Sequence, residues 1–206
     1  MAGIRVVWTD FGGVLTPPVE EDLARVAAAA GVPVEALLGA IERVAGSRGP
    51  LEALELGLIT QHEWGRLVDA ELRPHVSRVD LGELGAHWHA GRVFNRELYD
   101  GLVRAAGGRP LGLLTNTIAE WAPHRAAMIP AGVGFDRVVN SHQVGVRKPQ
   151  PEVYALAERA FAATPAECLL VDDLEVNCAA ARERGWTAIR HTDNADTLGR
   201  VRGALG

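Results

Sequence analysis

The sequence predicts an α/β protein that combines a Rossmann-like parallel sheet, covered by helices on both faces, with an all-helical segment. Two observations lead to this prediction. Five short apolar runs of strand length alternate with helical patterns along most of the chain, which is typical of βαβ units in a parallel sheet. Only between the first and the second of these runs do four helical patterns follow one another without a strand.

The predicted strands are apolar runs rich in valine, leucine and isoleucine, and acids, glycines or prolines bound them. Continuous runs of this kind are typical of strands that are buried on both faces of a sheet. Their sequences are IRVVWT at 4–9, PLGLLTNT at 110–117, FDRVVNS at 135–141, CLLVDD at 168–173 and WTAIRH at 186–191.

The helical segment after the first strand is predicted from helix start and stop signals. Its helices cover 18–31, 32–46, 57–75 and 80–91, with a break at the Gly-Pro pair 49–50. Thr60 and Glu63 have the spacing of a capping box, which marks a helix N-terminus. We therefore predict a helical cap at 17–92 and a Rossmann-like core formed by 1–16 and 93–206.

The rest of the chain supplies the helices that are expected to cover the sheet. A further capping box at Thr164 and Glu167, with proline at the first helical position, precedes the fourth strand. The predicted helices of this part lie at 95–108, 118–132, 151–163, 175–185 and 196–205.

Composition and charge exclude several classes of function. The 206 residues suffice for one core domain with a smaller insert, and the net charge of −5 argues against binding to nucleic acid or anionic membranes. No apolar run approaches the ~20 residues of a membrane span, and the N-terminus lacks the pattern of a signal peptide. With only two cysteines and no sign of a disulfide framework, we expect a cytoplasmic protein.

Polar residues stand where three of the predicted strands end. Asp10 ends the first run, Thr115 lies near the end of the second, and Asp172 and Asp173 end the fourth. In open parallel sheets, ligands bind outside the carboxyl ends of the strands. These side chains are therefore expected to converge on one edge of the sheet.

Four segments in a fixed order resemble the haloacid dehalogenase-like superfamily, in the type with a helical cap inserted after the first strand. They are DFGGVL at 10–15, LLTN at 113–116, RKPQPEVY at 147–154 and LLVDDLEVNCAAARERG at 169–185. The resemblance extends over nearly the whole chain. It implies a hydrolase, most often a phosphatase that acts on a small phosphorylated molecule.

The resemblance also implies a nucleophile and a metal site. Asp10 corresponds to the aspartate that attacks phosphorus and forms an aspartyl-phosphate. Mg²⁺ would be bound by Asp10, the backbone carbonyl of Gly12 and Asp173, with Asp172 bound directly or through water. Adjacent acids at the end of an apolar strand are costly to bury without a cation, which agrees with this interpretation.

Further residues are implied to bind the phosphoryl group. Thr115 corresponds to the hydroxyl that donates a hydrogen bond to it, with the backbone of Asn116 beside it, and Lys148 to the lysine that pairs with nucleophile and phosphate. The turn at Gly12 and Gly13 brings backbone N–H groups close to the phosphate. Asn177 is expected next to the acids.

Gly12 departs from the family pattern, because most phosphatases of the superfamily carry a second aspartate here. That residue protonates the leaving oxygen and activates water, a contribution of about 10²–10⁴-fold. We predict a Mg²⁺-dependent phosphatase that uses water or a cap residue as its acid, with His142 as one further candidate.

Two alternatives to the phosphatase remain. One is a catalytically impaired member that binds a phosphorylated ligand or a partner protein. The other is a 2-haloacid dehalogenase, a branch that also lacks the second aspartate but lacks the paired acids as well. The sequence indicates neither the identity of the substrate nor the oligomeric state.

Overall fold

A five-stranded, all-parallel sheet forms the centre of the protein. The computed structural model describes residues 3–46, 51–75 and 77–206. The strands are β1 Val6–Thr9, β2 Leu111–Thr115, β3 Arg137–Asn140, β4 Cys168–Asp172 and β5 Thr187–Arg190. Their order in the sheet is β3-β2-β1-β4-β5, so the first strand of the chain lies in the middle. This confirms the predicted fold class.

Helices surround the sheet and fill the segment between β1 and β2. Up to residue 106 they are α1 Val19–Ala30, α2 Val34–Ala45, α3 Glu52–Glu55, α4 Gln61–Glu71, α5 Leu84–His89 and α6 Arg96–Ala106. Those after β2 are α7 Ala122–Met128, α8 Ser141–Val144, α9 Pro151–Ala160, α10 Glu175–Glu183 and α11 Asn194–Leu205. Single 3-10 turns lie at Leu81–Glu83, Ala119–Trp121 and Pro165–Glu167.

The two faces of the sheet are buried in two separate apolar cores, because successive side chains of a strand point to opposite faces. Val7 of β1 lies in one core with Leu98 of α6 and Val201 of α11. Its neighbour Trp8 lies in the other core with Tyr154 of α9. Helices therefore cover both faces, as predicted from the continuous apolar runs.

The helices α1 to α5 share an apolar core of their own. It contains Val26 of α1, Ile41 of α2, Val68 of α4 and Trp88 of α5. Trp121, which follows β2, joins this core and stacks on Trp88 with ring centroids 4.9 Å apart. The all-helical character predicted for this segment is thus observed in its described residues, whereas its status as a separate cap domain remains a prediction.

Sequence periodicity missed two one-turn helices, α3 and α8. Each has four residues, which is too short for a 3.6-residue repeat to be visible. The capping boxes at Thr60 and Thr164 are both present, but the second begins a 3-10 turn. The predicted break at 49–50 lies outside the described residues.

Within the described ranges, no single helix is both long and apolar enough to span a membrane. Only α1 and α2 taken together meet that requirement, and they are bent by 104° at their junction.

The close packing of β1 on β2 at Gly112 can be tested. A Cβ atom at Gly112 would overlap the indole ring of Trp8. We expect Gly112→Ala to lower the free energy of unfolding by about 1–3 kcal/mol, since overpacking a core forces side chains and backbone to shift. Urea unfolding followed by circular dichroism measures this change.

Gly199→Ala is the matched control for this substitution. Gly199 lies in α11, and a Cβ there would meet no atom within 4 Å. Alanine should raise stability at this site by about 0.5–1 kcal/mol, because it is the better helix former. Equal effects of the two substitutions would contradict the proposed packing role of Gly112.

Candidate active site

The carboxyl ends of β1, β2 and β4 meet at one edge of the sheet, below the helical segment. A cavity of about 330 Å³ lies there. Six of the residues singled out in the sequence line it, and these are Asp10, Gly12, Thr115, Asn116, Asp173 and Asn177. The parallel register explains this convergence, because Thr9 pairs with Val171 and the next residues along the two strands are both aspartates.

Lys148 is the centre of this site. Its ammonium group is fully buried and lies 2.9 Å from Oδ2 of Asp10 and 2.6 Å from Oδ2 of Asp172. Two strands of the sheet are therefore joined through one cation. Burial alone would lower the pKa of Lys148, but the carboxylates of Asp10 and Asp172 outweigh it and hold that pKa above its usual range.

The pKa of Asp10 lies above its usual range. Burial raises its pKa to about 6, although Lys148 acts in the opposite direction. Its Oδ1 accepts a hydrogen bond of 2.6 Å from the backbone N–H of Phe11, and its own N–H donates to the carbonyl of Val171 at 2.9 Å. These bonds fix the carboxylate at the edge of the cavity.

Asp172 has both of its carboxylate oxygens engaged by the protein. Oδ2 faces Lys148, and Oδ1 accepts hydrogen bonds from the side-chain amide of Asn177 at 2.9 Å and from the backbone N–H of Leu174 at 3.0 Å. Asn177 therefore lies beside the acids, as expected from the sequence. Asp172 is oriented by this network at the entry to α10.

Asp173 completes a cluster of three carboxylates that could hold a metal ion. One oxygen each from Asp10, Asp172 and Asp173 lies within 4.8 Å of the others. Burial, with the charges of Asp10 and Asp172, raises the pKa of Asp173 to about 7, although Lys148 acts in the opposite direction. Three acids face one lysine, and carboxylate oxygens are the ligands that Mg²⁺ prefers, so the donor set fits this ion.

Gly13 makes room for that cluster. It has a φ of +71°, and a Cβ atom there would overlap the carboxylate of Asp173. Glycine is thus needed for the acid as well as for the turn, whereas the sequence had suggested only that it clears space for phosphate. At Gly12, a Cβ would meet only Cγ2 of Val19, at 3.9 Å.

Asn116 anchors the segment that carries Lys148. Its side-chain amide donates to the carbonyl of Lys148 at 2.9 Å, and its Oδ1 accepts from the N–H of Lys148, also at 2.9 Å. The sequence had assigned a role only to the Asn116 backbone. The hydroxyl of Thr115, one residue earlier, is buried at the cavity lining, where the sequence predicted it.

Charged residues that sequence analysis did not single out also line the cavity: Glu55, His89, Arg92, Arg125 and Arg147. Arg147 lies within the segment RKPQPEVY but was given no role there, and no local pattern marked the other four. Arg125 donates to the side-chain carbonyl of Asn140 at 2.8 Å. Arg92 pairs with the buried Asp22 at 2.9 Å. Tertiary contacts alone direct these side chains towards the cavity.

Arg92 joins the two chain segments that connect the helices to the sheet. It donates hydrogen bonds to the hydroxyl of Thr16 and to the carbonyl of Pro17, in the segment that leads from β1 to α1. Arg92 itself lies in the segment that leads from α5 to α6. The contact places both connections side by side at one edge of the cavity.

The fold and the acidic centre at the carboxyl edge define a hydrolase class. The family model for haloacid dehalogenase-like hydrolases matches residues 4–185, and the chain belongs to this family. This confirms the resemblance seen in the four sequence segments.

Individual relatives show where the chain stands within this family. The bifunctional epoxide hydrolase 2 of Rattus norvegicus is 29% identical over 212 residues, which are 95% of this chain. The chain spans only 38% of the length of that relative. The activity of the longer protein therefore does not transfer to the chain.

Solved structures support the fold alone. A HAD family enzyme from Bacteroides thetaiotaomicron, in a magnesium complex, has a TM-score of 0.71 and 21% identity, and the match covers 93% of this chain and 94% of that one. A 2-haloacid dehalogenase from Pseudomonas syringae has a TM-score of 0.66 and 19% identity, with 98% of each chain covered. Both structures therefore share the architecture of this chain, and neither match carries an activity over to it.

Removing the buried lysine tests its structural contribution. Lys148→Met leaves Asp10 and Asp172 without their cation, and breaking a buried pair in this way costs about 3–5 kcal/mol. We expect a drop of this size in the free energy of unfolding at neutral pH. Arg96→Met, which removes an exposed pair with Asp100, should change it by at most about 1 kcal/mol. Similar losses in both variants would contradict the central role of Lys148.

The acidic cluster should make stability depend on pH and on Mg²⁺. The folded protein keeps protons on Asp173 and Asp10 at pH values where the unfolded chain has lost them, because their pKa values are raised to about 7 and about 6. Stability in EDTA should therefore fall as pH rises from about 4 to about 7. Mg²⁺ binds the ionised carboxylates, so its stabilising effect should grow over the same interval.

Thermal unfolding between these pH values, with EDTA or with Mg²⁺, measures both effects. Asp173→Asn serves as the control, since it removes a titrating group and a candidate ligand and should flatten both dependences. A melting temperature in EDTA that rises over the interval in the unmodified protein would refute this assignment.

Proposed function

We propose that the protein is a Mg²⁺-dependent phosphatase that acts on a small phosphorylated metabolite through an aspartyl-phosphate intermediate. The observation that carries the proposal is the cluster of Asp10, Asp172 and Asp173 around the buried Lys148, on the floor of a cavity. Such a site combines a nucleophile, a fixed cation and oxygen donors for a metal.

The first step is an attack by the carboxylate of Asp10 on phosphorus, in line with the leaving oxygen. Lys148 holds this carboxylate in place and offsets its charge as the anionic phosphate approaches. The hydroxyl of Thr115 and the backbone N–H groups after Asp10 would donate hydrogen bonds to the phosphoryl oxygens. Hydrolysis of the aspartyl-phosphate then releases inorganic phosphate and restores Asp10.

The metal site in this proposal uses the oxygens of Asp10 and Asp173 and the carbonyl of Gly12, with Asp172 beside them. Mg²⁺ would neutralise the charge that builds up on the phosphoryl group. The hydrogen bonds that Asp172 accepts from Asn177 and Leu174 favour a role through water or through the orientation of its neighbours.

The charge of the site favours a phosphatase over a dehalogenase. Three buried or half-buried acids near one lysine are costly unless a cation joins them. Displacement of a halide by Asp10 requires no metal, so two additional acids would only oppose the binding of an anionic haloacid. The 2-haloacid dehalogenases among the structural neighbours share the fold at below 25% identity, which does not carry their activity over to this chain.

The helices α1 to α5 would form a cap that selects the substrate. Leu23, Leu38, Ile41 and Trp88 from these helices line the cavity opposite Asp10. The non-phosphorylated part of the substrate would therefore contact apolar side chains. We further propose that the protein works in the cytoplasm and binds neither nucleic acid nor membranes.

Hydrolysis of p-nitrophenyl phosphate tests the proposal directly. We expect turnover that requires Mg²⁺ and is abolished by EDTA, and we expect Asp10→Asn to reduce kcat by about 10³-fold or more, since it removes the nucleophile. Asp100→Asn is the control and should leave kcat unchanged, because Asp100 lies on α6, pairs with Arg96 at the surface and does not line the cavity in the described structure.

The other outcomes distinguish the alternatives. Stoichiometric binding of phosphate without turnover of a panel of phosphate esters would indicate a ligand-binding member of the family. Release of halide from 2-chloropropionate without metal would indicate a dehalogenase. Turnover that survives in Asp10→Asn would exclude the aspartyl-phosphate mechanism.

A further inference from the structure

The position that lacks the usual second aspartate is open towards the cavity. Gly12 lines the cavity, and a Cβ atom there would be in ordinary contact with Val19 alone. No side chain on this turn can therefore carry a proton to or from the substrate. If phosphate esters with poor leaving groups are hydrolysed here, the proton must come from another part of the cavity wall.

Glu55 belongs to the part of the cavity wall that the helical segment supplies. It lies at the end of the one-turn helix α3, in the helical segment, and lines the same cavity as Asp10. Arg147, the residue before the central lysine, places its Nε atom 2.8 Å from Oε2 of Glu55. This contact docks α3 directly beside the segment that carries Lys148.

Burial, together with the charges around it, brings the pKa of Glu55 close to neutral pH. The groups that face it are Arg147 and Lys148 from the lysine segment, Asp10 from the end of β1, and Glu52 from its own helix. Burial is the largest effect and raises the pKa of Glu55 to about 7, although Arg147 lowers it. A proton donor and acceptor works best with a pKa near the working pH.

Other titratable residues at the cavity are less suited to this role. Glu20 is exposed to solvent, and Asp10 and Asp173 already serve as nucleophile and metal ligand in the proposed function. Burial lowers the pKa of His89 to about 3, so at neutral pH its ring is the neutral imidazole, whose remaining N–H is too weak an acid for this role. His142, considered from the sequence, directs Nδ1 to the carbonyl of Thr117 at 3.2 Å.

We propose that Glu55 is the general acid and base of this enzyme, in place of the carboxylate that is absent at Gly12. This inference rests on the proposed phosphatase function. As Asp10 attacks phosphorus and the ester P–O bond breaks, the carboxyl proton of Glu55 moves to the leaving oxygen, which departs as an alcohol. The Glu55 carboxylate then takes a proton from water, whose oxygen attacks phosphorus and displaces the Asp10 carboxylate.

A comparison of two leaving groups tests this role. In Glu55→Gln, hydrolysis of a simple alkyl phosphate should fall by about 10²–10⁴-fold, since an alkoxide leaves poorly without a proton. The first turnover of p-nitrophenyl phosphate should stay close to the unmodified rate, because p-nitrophenolate leaves unaided. We expect a rapid release of one p-nitrophenolate per site, followed by slow turnover limited by loss of the base.

Glu35→Gln is the matched control. Glu35 is an exposed glutamate in the first turn of α2, in the same helical segment, and it is outside the residues that line the cavity in the described structure. Its substitution should leave the hydrolysis rates of both substrates, and both phases of p-nitrophenolate release, unchanged. If Glu55→Gln does not fold, Glu55→Ala with and without added formate replaces it, and formate should restore hydrolysis of the alkyl phosphate.

Gly12→Asp provides a rescue experiment. Added to Glu55→Gln, it restores a carboxylate at the position used by most phosphatases of the family, and we expect it to recover alkyl phosphate hydrolysis. Two results would overturn the role of Glu55: normal rates in Glu55→Gln, or equal losses of rate on both substrates without a rapid first phase. The phosphatase function would still be upheld in either case if turnover depends on Asp10. Absence of any turnover in the unmodified protein would overturn both.

Discussion

The pairing of one buried lysine with two buried aspartates is the interaction on which the rest of the site depends. Lys148 lies within 2.9 Å of Asp10 and 2.6 Å of Asp172, at the ends of the two neighbouring strands β1 and β4. Burying these charges is tolerable only because each has a partner at hydrogen-bonding distance. Asn116 holds the lysine through its backbone, and Asn177 holds Asp172, so strand ends from distant parts of the sequence are fixed relative to one another.

The same constraint explains why a metal suits the site. The lysine compensates two of the three carboxylates, and Asp173 remains with a raised pKa at the edge of the cavity. The folded protein therefore holds a carboxyl group whose negative charge has no full compensation, and either a proton or a divalent cation can neutralise it. The positive φ and missing Cβ of Gly13 belong to the same arrangement, because they allow Asp173 to approach the turn after Asp10. The same residues therefore shape the turn after Asp10 and position the carboxylates that could bind a metal.

Gly12 gives this chain its particular character within the family. A carboxylate on the turn would place nucleophile and proton donor on one rigid loop of the sheet. Here the carboxyl group proposed for this role, that of Glu55, lies in α3, and the contact with Arg147 holds it beside the segment that carries Lys148. Chemistry would then depend on how the helical segment is docked on the sheet. The cavity that recognises the substrate would also decide whether the proton donor is in place.

The sequence by itself determined the parallel sheet, most helices and the convergence of Asp10, Thr115, Asp172 and Asp173, because strand periodicity and the rule on strand ends are local or topological properties. The position of Lys148 beside these acids was expected only from the family resemblance. Tertiary structure alone decided which side chains of the helical segment reach the cavity. Glu55, Arg92 and Arg125 stand in unremarkable polar surroundings along the chain, and only packing of distant elements buries them. Burial in turn shifts their pKa values, since desolvation depends on the folded surroundings and not on the residues next to them in the sequence.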